Sequence, residues 1–138
     1  MSYLLDTNVI SELRKGERAN PGVTSWFAGV PSDALYLSVL VIGELGKGIA
    51  RLRRRDPVSA AHLERWQERL VASFTHRILP VSLDVAELWG GLQAGGPLPV
   101  IDSLLAATAE HHGLTLVTRN VGDMASTGVA LLNPFDAS

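Results

Sequence analysis

Short apolar segments with β-strand character alternate along the chain with longer segments of helical periodicity. The predicted strands are "YLL" at 3–5, "LYLS" at 35–38, "RILPV" at 77–81, "LTLVT" at 114–118 and "VALL" at 129–132. Strands that alternate with helices predict an α/β fold, with a mainly parallel central sheet and helices on both of its faces.

Two helical segments in the middle of the chain are predicted to form a hairpin. They cover 40–54 and 58–74, and in each the apolar residues recur every three to four positions. Pro57 suits the first turn of the second helix, where a missing backbone N–H costs nothing. Another helix is predicted after Pro99, with Gly113 as its C-terminal stop.

The composition predicts one globular domain over residues 1–138. The chain is 46% hydrophobic, carries a net charge of -2 and contains no cysteine, which excludes disulfides and thiolate metal sites. No apolar stretch reaches the roughly 18 residues of a membrane span, and the start lacks signal-peptide features. We therefore expect a cytoplasmic protein that does not enter a membrane.

The charges are distributed unevenly. Eight basic residues and three acids lie between Lys47 and Arg77, whereas Arg119 is the only base among six acids from Ile78 onward. A basic helical face attracts polyanions, but many such faces are simply solvated, so the charge pattern leaves both interpretations open.

Polar residues stand at the ends of three predicted strands. Asp6 follows the first strand, Ser38 ends the second and Thr118 ends the fourth. In parallel α/β sheets, ligands bind beyond the C-terminal ends of the strands. We therefore expect these side chains to lie near a functional site.

Four acids stand in settings that differ from an ordinary surface helix: Asp6, Glu44, Asp102 and Asp123. Each also has a purely local explanation. Asp6 can cap a helix, Glu44 can pair with Lys47, Asp102 suits the first turn of a helix, and Asp123 suits a turn. Taken singly, these residues leave the structural and functional interpretations open.

The four acids together favour a metal site. If they meet at one sheet edge, each carboxylate raises the pKa of the others unless a cation is present. Oxygen ligands without cysteine indicate Mg²⁺ or Mn²⁺. Such ions activate water and neutralise charge on a phosphodiester, so the pattern predicts a nuclease.

The chain resembles the PIN-domain family, and in particular the VapC-type toxins of bacterial toxin–antitoxin pairs. The matching segments are "LLDTNVI", "SVLVIGEL", "LPVIDSLLAATAEHHGL", "LVTRNVGDM" and "LLNPF", and they follow the family's order over essentially the whole chain. Met124 departs from the pattern, because the family often has an aromatic residue there.

The resemblance implies a Mg²⁺- or Mn²⁺-dependent endoribonuclease that leaves a 5′-phosphate and a 3′-hydroxyl. The implied acidic site consists of Asp6, Glu44, Asp102 and Asp123, with Asn8, Ser38 and Thr118 supporting it through hydrogen bonds. Asp6 and Asp102 are the predicted direct metal ligands. Arg119 is predicted either to hold a phosphate or to form a structural ion pair.

The resemblance also implies partners. Family members usually form homodimers and are neutralised by a cognate antitoxin of the VapB type, whose C-terminal segment lies across a groove that the hairpin at 40–74 would line. An alternative function is a mainly regulatory subunit of a toxin–antitoxin repressor, which would contact operator DNA only through the antitoxin. The particular RNA, the choice between the two metals and the number of ions do not follow from the sequence.

Overall fold

The computed structural model describes residues 1–96 and 98–135, which form one five-stranded sheet and the helices around it. The strands are β1 (Tyr3–Leu5), β2 (Leu35–Ser38), β3 (Ile78–Leu79), β4 (Thr115–Val117) and β5 (Leu131–Leu132). The helices are α1 (Thr7–Leu13), α2 (Pro21–Ala28), α3 (Val39–Arg53), α4 (Pro57–Ser73), α5 (Leu83–Ala94), α6 (Val100–His112) and α7 (Val121–Met124).

The strand order is β3-β2-β1-β4-β5, and every neighbouring pair is parallel. The chain moves outward from β1 to β2 and β3, then crosses back to β4 on the other side of β1. Because parallel crossovers are right-handed, the two directions place their helices on opposite faces of the sheet. The predicted α/β fold is therefore confirmed, and its topological switch point lies between β1 and β4.

Strands β1 and β2 have the predicted bounds, whereas β3, β4 and β5 are shorter than their apolar segments. The predicted strand at 77–81 retains only β3, because Pro80 has no N–H to donate to a neighbouring strand. The predicted strand at 129–132 retains only β5, whose two residues pair with Leu116 and Val117.

The predicted hairpin is present as α3 and α4, which pack against each other. Pro57 is the first residue of α4, and Asp56 caps that helix by accepting the N–H of Ser59 at 3.1 Å. Helix α6 begins after Pro99 and ends before Gly113, whose φ of 66° lies in the left-handed region that glycine tolerates. Both predicted helix ends are therefore confirmed.

Helix α5 was absent from the predicted elements. Its Gly90 and Gly91 weaken the local helical preference, so packing against α6 has to stabilise it. Trp89 contributes to this packing, because its Nε1 donates to Ser103 Oγ at 3.0 Å. Trp26 packs edge-on against Tyr3, with ring centroids 5.2 Å apart.

The core lies between the sheet and its helices. Its largest fully buried side chains include Leu4, Leu37, Leu105 and Leu116. No helix among the described residues has the length and apolar character to span a membrane.

Candidate active site

Asp6 connects β1 to α1 at the switch point of the sheet. The apolar strand ends at Leu5, and Asp6 adopts an extended conformation with φ of -74° and ψ of 159° before the helix begins. Its Oδ1 accepts the backbone N–H of Thr7 at 2.7 Å. The side chain is therefore a true helix cap, and it is also buried, with 4% of its surface exposed.

The other oxygen of Asp6 belongs to a hydrogen-bond network that joins β1 to β4. Thr118 Oγ1 donates to Asp6 Oδ2 at 2.7 Å, and Asn8 Nδ2 approaches the same oxygen at 3.4 Å. Asn8 Oδ1 accepts the N–H of Arg119 at 3.2 Å, and Thr118 Oγ1 accepts that of Asn120 at 3.0 Å. The structure thus brings Asp6 and Thr118, two of the three polar residues at predicted strand ends, together with Asn8.

Asp6 has no basic partner, because no Lys, Arg or His among the described residues forms an ion pair with it. Burial raises the pKa of this carboxyl, and the hydrogen bonds from Thr118 and Thr7 only partly oppose that effect. The nearby charges of Asp102 and Glu44 raise it further. The site therefore contains negative charge that only an added cation or a proton can neutralise.

Glu44 lies on α3 and is held by a residue from α1. Thr7 Oγ1 donates a short hydrogen bond of 2.5 Å to Glu44 Oε1. The alternative surface pair with Lys47 is not formed, since the described residues provide no ion pair to Glu44. The only sign of this contact in the sequence is the place of Thr7 between Asp6 and Asn8.

Asp102 and Asp123 complete the acidic group from the other side of the switch point. Asp102 is the third residue of α6 and is partly buried, which raises its pKa, and the charges of Glu44 and Asp123 add to the rise. Asp123 is exposed on the short helix α7. Its neighbour Met124 is 1% exposed and fills a core position, so the departure from an aromatic residue is accommodated by packing.

Ser38 is fully buried but lies outside the acidic network. Its Oγ accepts the N–H of Leu40 at 3.0 Å and so caps α3, and the described residues include no bond from Ser38 to any of the four acids. Any support that it gives to the site is indirect, because it fixes the start of the helix that carries Glu44.

The four acids fit an open Mg²⁺ or Mn²⁺ site better than a closed cage. Within residues 1–96 and 98–135, no three His, Asp or Glu side chains stand close enough to chelate an ion by themselves. Mg²⁺ commonly binds through one or two carboxylates and keeps several waters, which substrate phosphate can replace. Asp6 and Asp102, whose pKa values are raised by burial and by neighbouring charge, are suitable for such a site.

Arg119 directly follows Thr118 and has an exposed side chain. Its guanidinium lies over the ring of Phe135, 3.9 Å from the centroid, while its backbone N–H bonds to Asn8. The predicted structural ion pair is not formed, because no carboxylate in the described part of the chain lies within 4.0 Å of its side chain.

Comparison with known proteins places the chain in the PIN-domain family. The family model for the PIN domain matches residues 3–127, so the chain belongs to that family. The chain is 34% identical over 137 residues to Toxin FitB of Neisseria gonorrhoeae, covering 96% of this chain and 97% of that protein. It is 31% identical over 141 residues to VapC ribonuclease Y4jK of Sinorhizobium fredii, covering 96% and 97%.

Solved structures give the same result. The structure of FitAB bound to an IR36 DNA fragment contains a chain that superposes with a TM-score of 0.88 at 30% identity, covering 99% of this chain and 97% of that one. The chain is therefore similar in both fold and sequence to toxins of toxin–antitoxin pairs.

Proposed function

We propose that the protein is a Mg²⁺- or Mn²⁺-dependent endoribonuclease toxin that a cognate antitoxin neutralises. One observation carries this proposal: Asp6 is buried without a basic partner at the switch point, where the charges of Glu44 and Asp102 also reach it. An arrangement that raises the pKa of its own carboxyls in the absence of a cation is costly for folding alone. The ribonuclease name of the Sinorhizobium fredii relative supports the same activity.

In the proposed site, Asp6 and Asp102 hold the divalent ion. Thr118 and the N–H of Thr7 fix the two oxygens of Asp6, so this ligand is oriented before RNA binds. The ion would supply positive charge to the phosphate oxygens and lower the pKa of a bound water.

Glu44 and Asp123 are the two further acids of the proposed metal site. Glu44 Oε2 accepts no hydrogen bond from the described residues, so it is free to complete the ligand set or to orient the attacking water. Asp123 is placed to bind a second ion or to act through water. During hydrolysis the water oxygen bonds to phosphorus, the bond to the 3′ oxygen breaks, and that oxygen takes up a proton.

Arg119 is the proposed contact for an RNA phosphate beside the scissile bond. Its planar guanidinium lies over the ring of Phe135, and its N–H groups have no carboxylate partner among the described residues. Arg77 is unsuited to this role, because it already donates to the carbonyl oxygens of Ser32 and Leu35, both at 2.6 Å.

The antitoxin is proposed to occupy a groove between α1 and the α3–α4 hairpin. A cleft of about 280 Å³ begins at Thr7 and Glu44 and runs along the hairpin to Arg55 and Trp66. A second cleft of about 360 Å³ continues past Trp66 to Phe74. A segment bound there would lie against Glu44, which is why we propose the hairpin as the inhibitory surface.

The alternative function is a mainly regulatory subunit of a repressor complex. The structure of FitAB on DNA favours it, since a complex with a similar chain binds a DNA fragment. In that case, the chain would contact operator DNA only through its antitoxin, and its acids would serve no reaction. A homodimer is proposed in both cases, and the molar mass from light scattering tests it.

Cleavage of RNA by the purified protein tests the proposal. We expect Mg²⁺ or Mn²⁺ to be required, EDTA to abolish cleavage, and Asp6→Ala and Asp102→Ala to lose it while they remain folded by circular dichroism. Val58→Ala, on an exposed position of α4, is the control that should cleave like wild type. If Asp6→Ala and wild-type preparations cleaved RNA equally, the activity would be a contaminant and the regulatory alternative would stand.

A further inference from the structure

Thr7 forms bonds to two of the four acids at once. Its backbone N–H donates to Asp6 Oδ1 at 2.7 Å, and its side-chain hydroxyl donates to Glu44 Oε1 at 2.5 Å. The two acids are 38 residues apart in sequence and lie on different elements. Because both donors belong to one residue, Thr7 fixes the position of Asp6 relative to Glu44.

Glu44 needs such a contact because its neighbours repel it. Its carboxylate raises the pKa values of both Asp6 and Asp102, which shows that the three charges act on one another. A glutamate has three rotatable side-chain bonds, so without an attractive partner it would turn away from like charges. Among the described residues, the Thr7 hydroxyl is the hydrogen-bond donor to this carboxylate.

The bond also decides which oxygen of Glu44 is available. A hydroxyl has a single proton, and Thr7 gives it to Oε1, which leaves Oε2 without a hydrogen bond in the described structure. Thr7 and Glu44 both line the cleft between α1 and the α3–α4 hairpin. The contact therefore presents one defined carboxylate oxygen to whatever enters the site.

We propose that Thr7 is a positioning residue that holds Glu44 for the metal-dependent reaction, an inference that rests on the proposed nuclease function. Side chains that orient metal ligands through hydrogen bonds typically contribute about 10- to 100-fold to metal affinity or activity. Thr7 does not touch substrate in this role. It acts through Glu44, and its effect should disappear when Glu44 can no longer act.

The test uses the full-length protein with Thr7→Val, which removes the hydroxyl at constant shape, and Thr7→Ser, which keeps it. Thr75→Val is the matched control, because Thr75 is exposed and bonds only to backbone carbonyls at the end of α4. Cleavage kinetics are measured with Mg²⁺, and Mn²⁺ affinity is measured without RNA by titration calorimetry.

For Thr7→Val we expect kcat to fall about 10- to 100-fold with KM for RNA nearly unchanged, and Mn²⁺ affinity to fall as well. Thr7→Ser should recover most of the kcat that Thr7→Val loses, because it keeps the hydroxyl. In a Glu44→Gln background, Thr7→Val should cause little further loss, because the two residues act as one unit.

Three outcomes would overturn the proposal: Thr7→Val behaving like Thr75→Val, Thr7→Ser failing as badly as Thr7→Val, or the losses at Thr7 and Glu44 adding fully. Failure of the proposed function has a different signature, in which wild type does not cleave RNA. The Mn²⁺ titration then decides alone: unequal affinities of wild type and Thr7→Val retain the positioning role, and equal or absent binding removes it.

Discussion

Two carboxylates at opposite ends of α1 are buried to a similar degree but have opposite electrostatic surroundings. Asp6, at the start of the helix, is 4% exposed, and Glu12, near its end, is 8% exposed. Glu12 receives the ammonium of Lys15 at 3.0 Å and the N–H of Asn20 at 2.8 Å. Asp6 receives hydrogen bonds but no basic partner, and two further acids act on it.

The pKa values of the two groups move in opposite directions as a result. The hydrogen bonds from Lys15 and Asn20 lower the pKa of Glu12, whereas burial raises that of Asp6. Glu12 stabilises the fold, because it joins the end of α1 to Asn20, the residue that caps α2. A buried charge with a complete set of partners indicates a structural role for the residue, and a buried charge that lacks a counter-charge indicates a ligand site.

The largest effect is expected on RNA cleavage, when the charge of Asp6 is removed by a substitution that keeps the size of the side chain. Asp6→Asn should reduce RNA cleavage by about 100-fold or more, since a direct ligand matters at least as much as the groups that orient it. Its free energy of unfolding in EDTA should equal or exceed that of wild type, because the uncompensated charge is gone. A clear loss of stability would show that ionised Asp6 supports the fold.

The matched substitution at the other end of the helix should have the reverse effect. Glu12→Gln should lower the melting temperature by a few degrees, because it removes the ion pair with Lys15 and weakens the bond to Asn20. Cleavage per folded molecule should remain at the wild-type level. A large loss of cleavage in folded Glu12→Gln would mean that the contrast between the two carboxylates does not separate structure from function.

Asp6→Asn and Glu12→Gln should differ from wild type in free energy of unfolding with opposite signs. Acidification should reduce both differences. Ionised Asp6 destabilises the metal-free fold, and this cost disappears as the pH falls through its raised pKa. Ionised Glu12 stabilises the fold above the ordinary pKa of glutamate, and this gain is lost as the pH falls through its lowered pKa.

Denaturant unfolding in EDTA, from neutral pH to about pH 3, well below the ordinary pKa of glutamate, measures these differences. The advantage of Asp6→Asn over wild type should shrink first, because the pKa of Asp6 is the raised one. The deficit of Glu12→Gln should persist to lower pH and shrink last. A deficit for Asp6→Asn at neutral pH, or the reverse order of the two transitions, would contradict the assigned pKa directions.

The smallest effect is expected from a charge pair that is exposed. Arg53 and Glu64 approach to 2.6 Å across the α3–α4 hairpin, but their side chains are 47% and 53% exposed. Arg53→Ala should therefore change the free energy of unfolding by less than about 1 kcal/mol and leave cleavage unchanged. A larger loss of stability would show that charge on the hairpin contributes to the fold as strongly as the partners of Glu12.

Much of the fold could be predicted because its signals are local. Pro57 and Gly113 mark helix ends through their own backbone restrictions, and the apolar segments mark every strand. Helix α5 was missed because Gly90 and Gly91 oppose it locally and only contact with α6 compensates. The ends of β3, β4 and β5 were overextended because hydrogen-bonded partners, and not apolar character, determine where a strand stops.

The candidate site likewise has contacts that could be predicted from the sequence and contacts that could not. The residue types and the strand ends predicted that Asp6 and Thr118 would meet, and they do so at 2.7 Å. The contact of Thr7 with Glu44 had no signal in the local pattern. It depends on how a side chain from one element meets another, which spacing along the chain does not specify.

Local preference and side-chain chemistry are enough to predict the α/β alternation, the acidic residue types and the family resemblance. The pair of Glu12 with Lys15 is local too, because the two residues are three positions apart. The fold is what brings Glu44 and Asp102 close to Asp6, since both acids lie on helices far from it in sequence. The field at a buried charge comes from its neighbours in space, and at Asp6 the fold selects those neighbours.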